Sequence, residues 1–158
     1  IEIINNFLKN NIENKISFYF GTLPFLFIPY SKSIYRGIIN IYTHSVVFTK
    51  KLRNDILKYN YKKIFCWDTF QNYNNNNKYY YYKPLCFQVI EETENSKNWP
   101  VFLFIRNFWF KLVYLLNANI EPKLFFEFIY LLSYIITISV ISILLYILIK
   151  IIYYLFIY

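Results

Sequence analysis

Few residues of this sequence have the chemistry of a catalytic or metal-binding group, and they lie far apart. The chain contains one histidine, His44, and two cysteines, Cys66 and Cys86. A structural zinc site needs four Cys or His ligands, so these three are too few, and they form no CxxC pair. Glu91 and Glu92 are neighbours in a polar stretch, where adjacent carboxylates do not converge on one substrate. We therefore predict no catalytic residue and no haem, metal or flavin cofactor.

Phosphate-binding and hydrolase motifs are also missing from the sequence. Because the chain has two glycines in 158 residues, it cannot form a glycine-rich phosphate loop, and neither GxSxG nor HExxH occurs. For Cys66 and Cys86 we expect two inert thiols. The alternative is a disulfide between them, which would require an oxidising compartment. The sequence therefore favours a protein that is not an enzyme.

The positive charge of the chain, +8 overall, has one clear cluster. Between residues 50 and 63, Asp55 is surrounded by the cations Lys50, Lys51, Arg53, Lys58, Lys62 and Lys63. Each cation near an anionic headgroup contributes about 1 kcal/mol. We predict that Lys50, Lys51 and Arg53 contact an anionic phospholipid such as cardiolipin, or an acidic partner subunit. Two alternatives are that the cluster contacts ribosomal RNA or that it is simply a solvated helix face. Of the possible partners, we do not expect a nucleic acid.

The strongest structural signal is the uncharged apolar run of residues 128–149. A bilayer core of about 30 Å is crossed by about 20 helical residues, so this run predicts a transmembrane helix. Small polar side chains let helices approach closely and can bond across an interface; we predict packing through Ser133, Thr137, Ser139 and Ser142. No Asp, Glu, Lys, Arg or His lies within the run, which argues against an ion-translocating role.

A second apolar segment, residues 101–117, carries Arg106, Asn107 and Lys111 within one arc of a helical wheel. Burying two cations at the bilayer centre would cost several kcal/mol, and a helix lying at the membrane surface avoids this cost. Trp109 and Tyr114 suit that depth. We predict an interfacial helix in which Arg106 and Lys111 contact lipid or a partner. A second, irregular span is the alternative.

The region before residue 99 predicts short elements. Residues 1–16 fit a short amphipathic docking helix, because Ile4, Leu8, Ile12 and Ile16 share one face. Residues 17–30 are too short to cross a bilayer and contain two prolines, so they are expected to be extended and buried, or re-entrant at the membrane surface. Residues 34–58 have an apolar stripe at helical spacing and predict a helix.

The Asn- and Tyr-rich residues 71–83, QNYNNNNKYYYYK, are typical of a solvated low-complexity loop. The β-prone segments 61–67 and 85–90 flank it, and they could pair as a hairpin with the loop as its tip. Residues 91–98 are expected to form a polar linker.

These elements define the predicted fold class and domain organisation. We expect a membrane protein, mainly α, with a small irregular N-terminal region and a possible β-hairpin. Residues 1–98 form the extramembrane region, 99–121 the interfacial helix and 122–158 the long C-terminal transmembrane helix.

The composition is extreme: 18 Tyr and 17 Phe stand against 2 Gly and 5 Pro. The abundant residues have codons built from A and T, which indicates an AT-rich genome. With Ile1 in place of Met and the ending LLSYIITISVISILLYILIKIIYYLFIY, the chain resembles the hydrophobic proteins encoded in ciliate mitochondrial genomes. Such proteins are commonly divergent or added subunits of respiratory complexes, the ATP synthase or the mitochondrial ribosome.

The resemblance implies a non-catalytic accessory subunit in the mitochondrial inner membrane, within a large electron-transfer complex, complex I or complex IV. A membrane subunit of the ATP synthase and a mitoribosomal protein are the alternatives. Arg106, Lys111 and Lys123 precede the predicted span, whereas no charged residue follows Lys150. The positive-inside bias therefore places residues 1–123 in the matrix and the C-terminus toward the intermembrane space.

Overall fold

The structure is a computed structural model that describes residues 1–64, 66–75, 77–90 and 103–157. The elements, in chain order, are α1 (Glu2–Asn10), β1 (Ser17–Pro29), β2 (Ile34–Phe48), α2 (Lys50–Ile56), a 3-10 turn (Tyr61–Lys63), α3 (Trp67–Asn74), β3 (Lys78–Tyr81), α4 (Leu103–Leu115) and α5 (Pro122–Ile157). The predicted polar linker of residues 91–98 lies outside the described residues.

The three strands close into a small barrel. The long strands β1 and β2 form an antiparallel hairpin. The short strand β3 pairs in parallel with the start of β1, where Phe18 faces Tyr79, and antiparallel with the start of β2, where Arg36 faces Tyr79. Because β3 pairs on both sides, it joins the two free edges of the hairpin, and closure removes edges that would otherwise recruit other strands.

Three predictions for the N-terminal region are wrong. Residues 34–48 form strand β2 rather than a helix, and only Lys50–Ile56 of the predicted segment is α-helical. Among the described residues of 61–67 and 85–90, no strand pairing joins the two segments. The supposed loop tip instead supplies the end of α3 and the strand β3. The fold is therefore mixed α/β, not mainly α.

Spacing explains the error at β2. Apolar residues spaced by multiples of four, such as Ile38 and Val46, lie on one face of a helix, but such an even spacing is also compatible with one face of a strand. The segment is rich in β-branched and aromatic residues, which fit a pleated surface. These residues pair along the whole length of β1, which is itself extended and largely buried as predicted.

Helix α1 packs on the barrel beside β3. Ile4 and Phe7 are buried, and the Phe7 ring centroid lies 4.9 Å from that of Tyr79. Ile12 is exposed, because the helix ends at Asn10 before the predicted stripe is complete. The predicted amphipathic helix is therefore present but shorter than 1–16.

Helices α4 and α5 form a helical hairpin that packs on the barrel. The turn between them uses Asn117 at φ 56°, a left-handed conformation that asparagine tolerates at a helix end. The Ala118 amide then donates to the Val113 carbonyl at 2.9 Å. The Trp109 and Phe125 rings meet edge to face at 5.3 Å, and Phe125 belongs to a buried cluster with Leu23 of β1. The predicted helix over 101–117 is present as Leu103–Leu115.

Helix α5 is 36 residues long, which corresponds to about 54 Å at 1.5 Å per residue. Its first part packs on β1, whereas residues 138–156 are exposed without exception. Within the described residues it is the one helix long and apolar enough to cross a membrane, judged by length and composition.

Candidate functional site

The junction between α5 and the barrel is fixed by two hydroxyl groups. The ladder between β1 and β2 is irregular between Pro24 and Leu26, and the Pro24 carbonyl accepts a hydrogen bond from the buried Ser133 hydroxyl. One helical turn later, the Thr137 hydroxyl oxygen lies 3.4 Å from the Phe27 amide nitrogen, which donates to it. Since both contacts involve backbone atoms of β1, they set the register of the helix on the barrel.

Aromatic rings surround these polar contacts. Tyr134 stacks on Phe27 with the ring centroids 5.9 Å apart, and Tyr130 meets Tyr80 of β3 edge to face at 5.8 Å. The junction therefore combines apolar burial with two directional hydrogen bonds, an arrangement suited to holding a long helix in one position.

The four predicted packing residues separate into two pairs. Ser133 and Thr137 are buried, but against a strand rather than against the second helix that the sequence suggested. Ser139 and Ser142 are exposed, and Ser139 donates to the Ile135 carbonyl of its own helix at 2.9 Å. Packing of Ser139 and Ser142 on another protein stays a prediction.

The barrel encloses a lysine. Lys78 of β3 is 1% exposed, and its ammonium group donates to the Ile38 carbonyl and to the Asn72 side-chain oxygen, both at 2.8 Å. Desolvation by burial lowers the pKa of Lys78 to about 8, because the charged form loses its hydration without gaining a carboxylate. The amine is sealed inside, so a substrate could reach it only if the barrel opened.

Asn72 connects this lysine to β2. Its side-chain oxygen also accepts from the Asn40 amide at 3.1 Å, and its side-chain nitrogen donates to the Asn40 carbonyl at 2.6 Å. The Asn40 side chain is buried and has no hydrogen-bond partner among the described residues. A β-carbon on Gly37 would come within 2.4 Å of it, so the glycine makes room for this amide.

Two further hydrogen bonds tie α3 and its C-terminal end to the start of β1. The Tyr19 hydroxyl donates to the Gln71 side-chain oxygen at 3.1 Å, and Asn75 donates to the Ser17 hydroxyl at 2.6 Å. Desolvation by burial raises the pKa of Tyr19 to about 12. Residues of the Asn-rich segment therefore complete the barrel interior.

A polar pocket of about 180 Å³ lies between α2 and α3, and Gln71 lines it. Asp55 at its edge pairs with Lys15 and, at 3.0 Å, with Lys58. Hydrogen bonds from Lys15 and then Lys58 hold the pKa of the Asp55 carboxyl below its usual value. The carboxylate is thus stabilised as an anion at neutral pH.

The predicted lipid-contact residues lie on two separate helices. Lys50, Lys51 and Arg53 are exposed on α2, whose buried residue is Leu52. On α4, Lys111 is exposed, and Arg106 is half-buried.

His44 and the cysteines do not form a ligand set. The His44 Nε2 atom lies 3.2 Å from the backbone oxygen of Cys86, and the His44 ring meets Phe126 edge to face at 5.5 Å. Cys66 and Cys86 are both half-buried free thiols. Across the described ranges, no group of three or more His, Cys, Asp and Glu side chains could hold a metal ion.

Comparison of the chain with protein-family models, with curated proteins and with solved structures finds no match. The functional assignment therefore depends on the geometry and on composition. Sequence reasoning missed Lys78, Asn72 and Asn40 as interior residues. The run of β-prone tyrosines that follows Lys78 was the sequence signal that could have predicted strand β3.

Proposed function

We propose that this protein is a membrane-anchored, non-catalytic subunit of a larger membrane assembly. In this proposal α5 anchors the protein in the membrane, and the barrel is a rigid module attached to the first part of α5. The single observation that carries the proposal is the exposure of residues 138–156 on all sides, in a helix whose mean hydropathy reaches 2.7. A helix that is apolar all round has no polar face to turn toward water, so lipid or other apolar helices are its natural surroundings.

The composition and its resemblance extend the proposal to the mitochondrial inner membrane and to an accessory subunit of complex I or complex IV. A structural role is supported by the burial of the Lys78 and Asn40 side chains inside the barrel, where the Lys78 ammonium group bonds to other groups of the protein. A membrane subunit of the ATP synthase is the second candidate, since the same anchor would serve there. A mitoribosomal role does not account for the long apolar helix, because a ribosomal protein needs no transmembrane anchor.

Membrane anchoring is tested first. Alkaline carbonate extraction of the source membranes, followed by detection of the chain, separates integral from peripheral proteins. We expect the chain to stay in the pellet; its release into the supernatant would overturn the proposal.

The assembly is tested by native electrophoresis of gently solubilised membranes. Mass spectrometry of the bands shows whether the chain co-migrates with complex I, complex IV, the ATP synthase or the ribosome. Migration with the first two supports the proposal, and migration with either of the others selects the corresponding alternative. Protease treatment of mitoplasts then tests the proposed orientation: protection of residues 68–90 is expected if the barrel lies in the matrix.

A further inference from the structure

We infer that the bilayer begins just past Thr137, so that residues 138–157 cross it and the end of β1 with the following turn, residues 28–32, lies at headgroup level. This inference rests on the proposed membrane anchoring and deepens it. It moves the crossing segment about ten residues toward the C-terminus of the apolar run from which a span over 128–149 is predicted.

The position of Thr137 on the barrel excludes the earlier placement. If residues 128–149 crossed the membrane, Thr137 would lie about 14 Å inside a core of about 30 Å, near its midplane. The Phe27 amide, which donates to Thr137, would be at the same depth. The β1–β2 ladder shifts register between Pro24 and Leu26 and again before Phe27, so backbone outside the ladder would face lipid at this depth, where each unsatisfied polar group costs several kcal/mol.

The strand register identifies the residues of β2 and β3 that would lie close to the same depth as Phe27. Phe27 faces Gly37 on β2, and Gly37 faces Lys78 on β3. Adjacent strands are about 4.8 Å apart, so Gly37 and Lys78, within about 10 Å of Phe27, would also lie inside the hydrocarbon core. The exposed Arg36, which faces Ile28, would enter the hydrocarbon, at a cost of about 3 kcal/mol for one such cation at the centre.

The remaining part of α5 has the required length. Residues 138–157 rise about 30 Å, which equals the thickness of the hydrocarbon core. This placement includes one cation, Lys150, about 10 Å before the end of the helix. The Lys150 ammonium group lies 5.8 Å from the centroid of the Tyr146 ring, and the long lysine side chain lets a charge near a helix end reach the nearer surface in a bilayer. Tyr153 and Tyr154, in the last two turns of the helix, suit a membrane interface.

The residues that follow Phe27 in the chain suit a lipid surface. Ile28 follows Phe27 directly and is half-exposed, as are Tyr30 and the α5 residue Tyr134, whose ring stacks on Phe27. Lys32 in the following turn is exposed. An aliphatic side chain, two tyrosines and a lysine match the apolar, aromatic and cationic groups found at the headgroup boundary.

Spin-label depth measurements on the full chain in liposomes test the crossing segment. In a Cys66→Ser, Cys86→Ser background, single cysteines replace four exposed isoleucines of α5: Ile135, Ile143, Ile147 and Ile152. Collision rates with oxygen, which partitions into lipid, and with a water-soluble nickel complex give the depth of each label. We expect Ile147 to be deepest and Ile135 to be water-accessible. A profile in which Ile135 is deep and Ile152 is water-accessible would overturn the inference.

A label at Ile28, at the end of β1, tests this level, with Lys32 as a second position. The control is Ile120, exposed in the turn before α5 and about 20 Å of helix away from Thr137. A nickel-chelating headgroup lipid should relax the labels at Ile28 and Lys32 several-fold more than the label at Ile120. Equal relaxation at all three positions would overturn the placement of the turn. Failure of anchoring itself is distinct: the chain would not float with the liposomes, and all four α5 labels would be water-accessible.

Discussion

The Lys78 ammonium group donates a 2.8 Å hydrogen bond to the side-chain oxygen of Asn72, which lies six residues earlier in the chain. Both residues belong to the Asn- and Tyr-rich segment whose composition is typical of a loop. Lys78 is instead enclosed by the barrel, and Asn72 holds both Lys78 and the backbone of Asn40. The segment therefore contributes to folding through specific polar contacts, and these contacts have a pH dependence.

We expect the free energy of unfolding to rise between pH 8 and pH 9. Lys78 has a pKa of about 8 in the folded chain, against 10.5 for an exposed lysine. Between these values the unfolded chain binds more protons, so stability rises with pH, by about 1 kcal/mol between pH 8 and pH 9. Urea unfolding of the detergent-solubilised chain, followed by tryptophan fluorescence, measures the slope.

Lys78→Met removes the titrating group and should flatten this pH dependence. Lys83→Met is the matched control, because Lys83 is exposed just beyond β3, and it should keep the slope. A Lys78→Met variant with an unchanged slope would contradict the buried amine. Measurements stop at pH 9, because burial raises the pKa values of Tyr19, Tyr79 and Tyr80, and these groups act in the opposite direction as the pH approaches 10.

The helices that were predicted correctly have signals within their own sequence. The apolar run of α5 and the amphipathic stripe of α1 identify these elements without knowledge of their partners. The end of α1 and the first contacts of α5 could not be predicted in the same way. They depend on Tyr79 and on the Pro24 carbonyl, which lie far away in the sequence.

The barrel could not be predicted because its pairing is non-local. β3 is four residues long and has no partner nearby in the chain; it is stabilised by the starts of β1 and β2 at once. Likewise, Lys78 appears in the sequence as an ordinary cation within a polar run. Its interior position follows from its register opposite Ser17 and Gly37, which composition does not encode.

Ser133→Ala should destabilise the chain by about 1–2 kcal/mol, because it leaves the buried Pro24 carbonyl without its hydroxyl donor. Ser139→Ala is the matched control on the same helix. Ser139 is exposed and bonds only within α5, so we expect a change within about 0.5 kcal/mol. Thermal unfolding in detergent compares the two variants, and equal effects would show that the Ser133 contact does not stabilise the junction.

Gly21→Ala should destabilise the protein by about 2–4 kcal/mol, a range typical of strong steric conflict in a core. The added β-carbon would lie 2.8 Å from the Cys86 carbonyl oxygen and would also overlap the His44 ring. Gly37→Ala is the comparison, because there the obstacle is the end of the Asn40 side chain, which can rotate. Chemical denaturation should show a larger loss for Gly21→Ala; the reverse order would contradict the close approach of His44 and Cys86.

Two buried tyrosines allow a matched test of the barrel interior. The Tyr19 hydroxyl donates to Gln71 at 3.1 Å, whereas the Tyr80 hydroxyl is buried with no hydrogen-bond partner among the described residues. Desolvation by burial raises the pKa of both phenols. The two residues therefore share ring size and burial but differ in hydrogen bonding.

Tyr19→Phe should cost about 1–2 kcal/mol, since it removes a hydrogen bond and leaves the Gln71 oxygen unpaired. Tyr80→Phe should be neutral or slightly stabilising, because it removes a buried polar atom that gains nothing in the fold. Urea unfolding of both variants, with circular dichroism to confirm an unchanged fold, gives the comparison. A loss at Tyr80→Phe as large as that at Tyr19→Phe would mean that the Tyr80 hydroxyl has a bound partner, such as an internal water molecule, and the interior of the barrel would then be hydrated rather than dry.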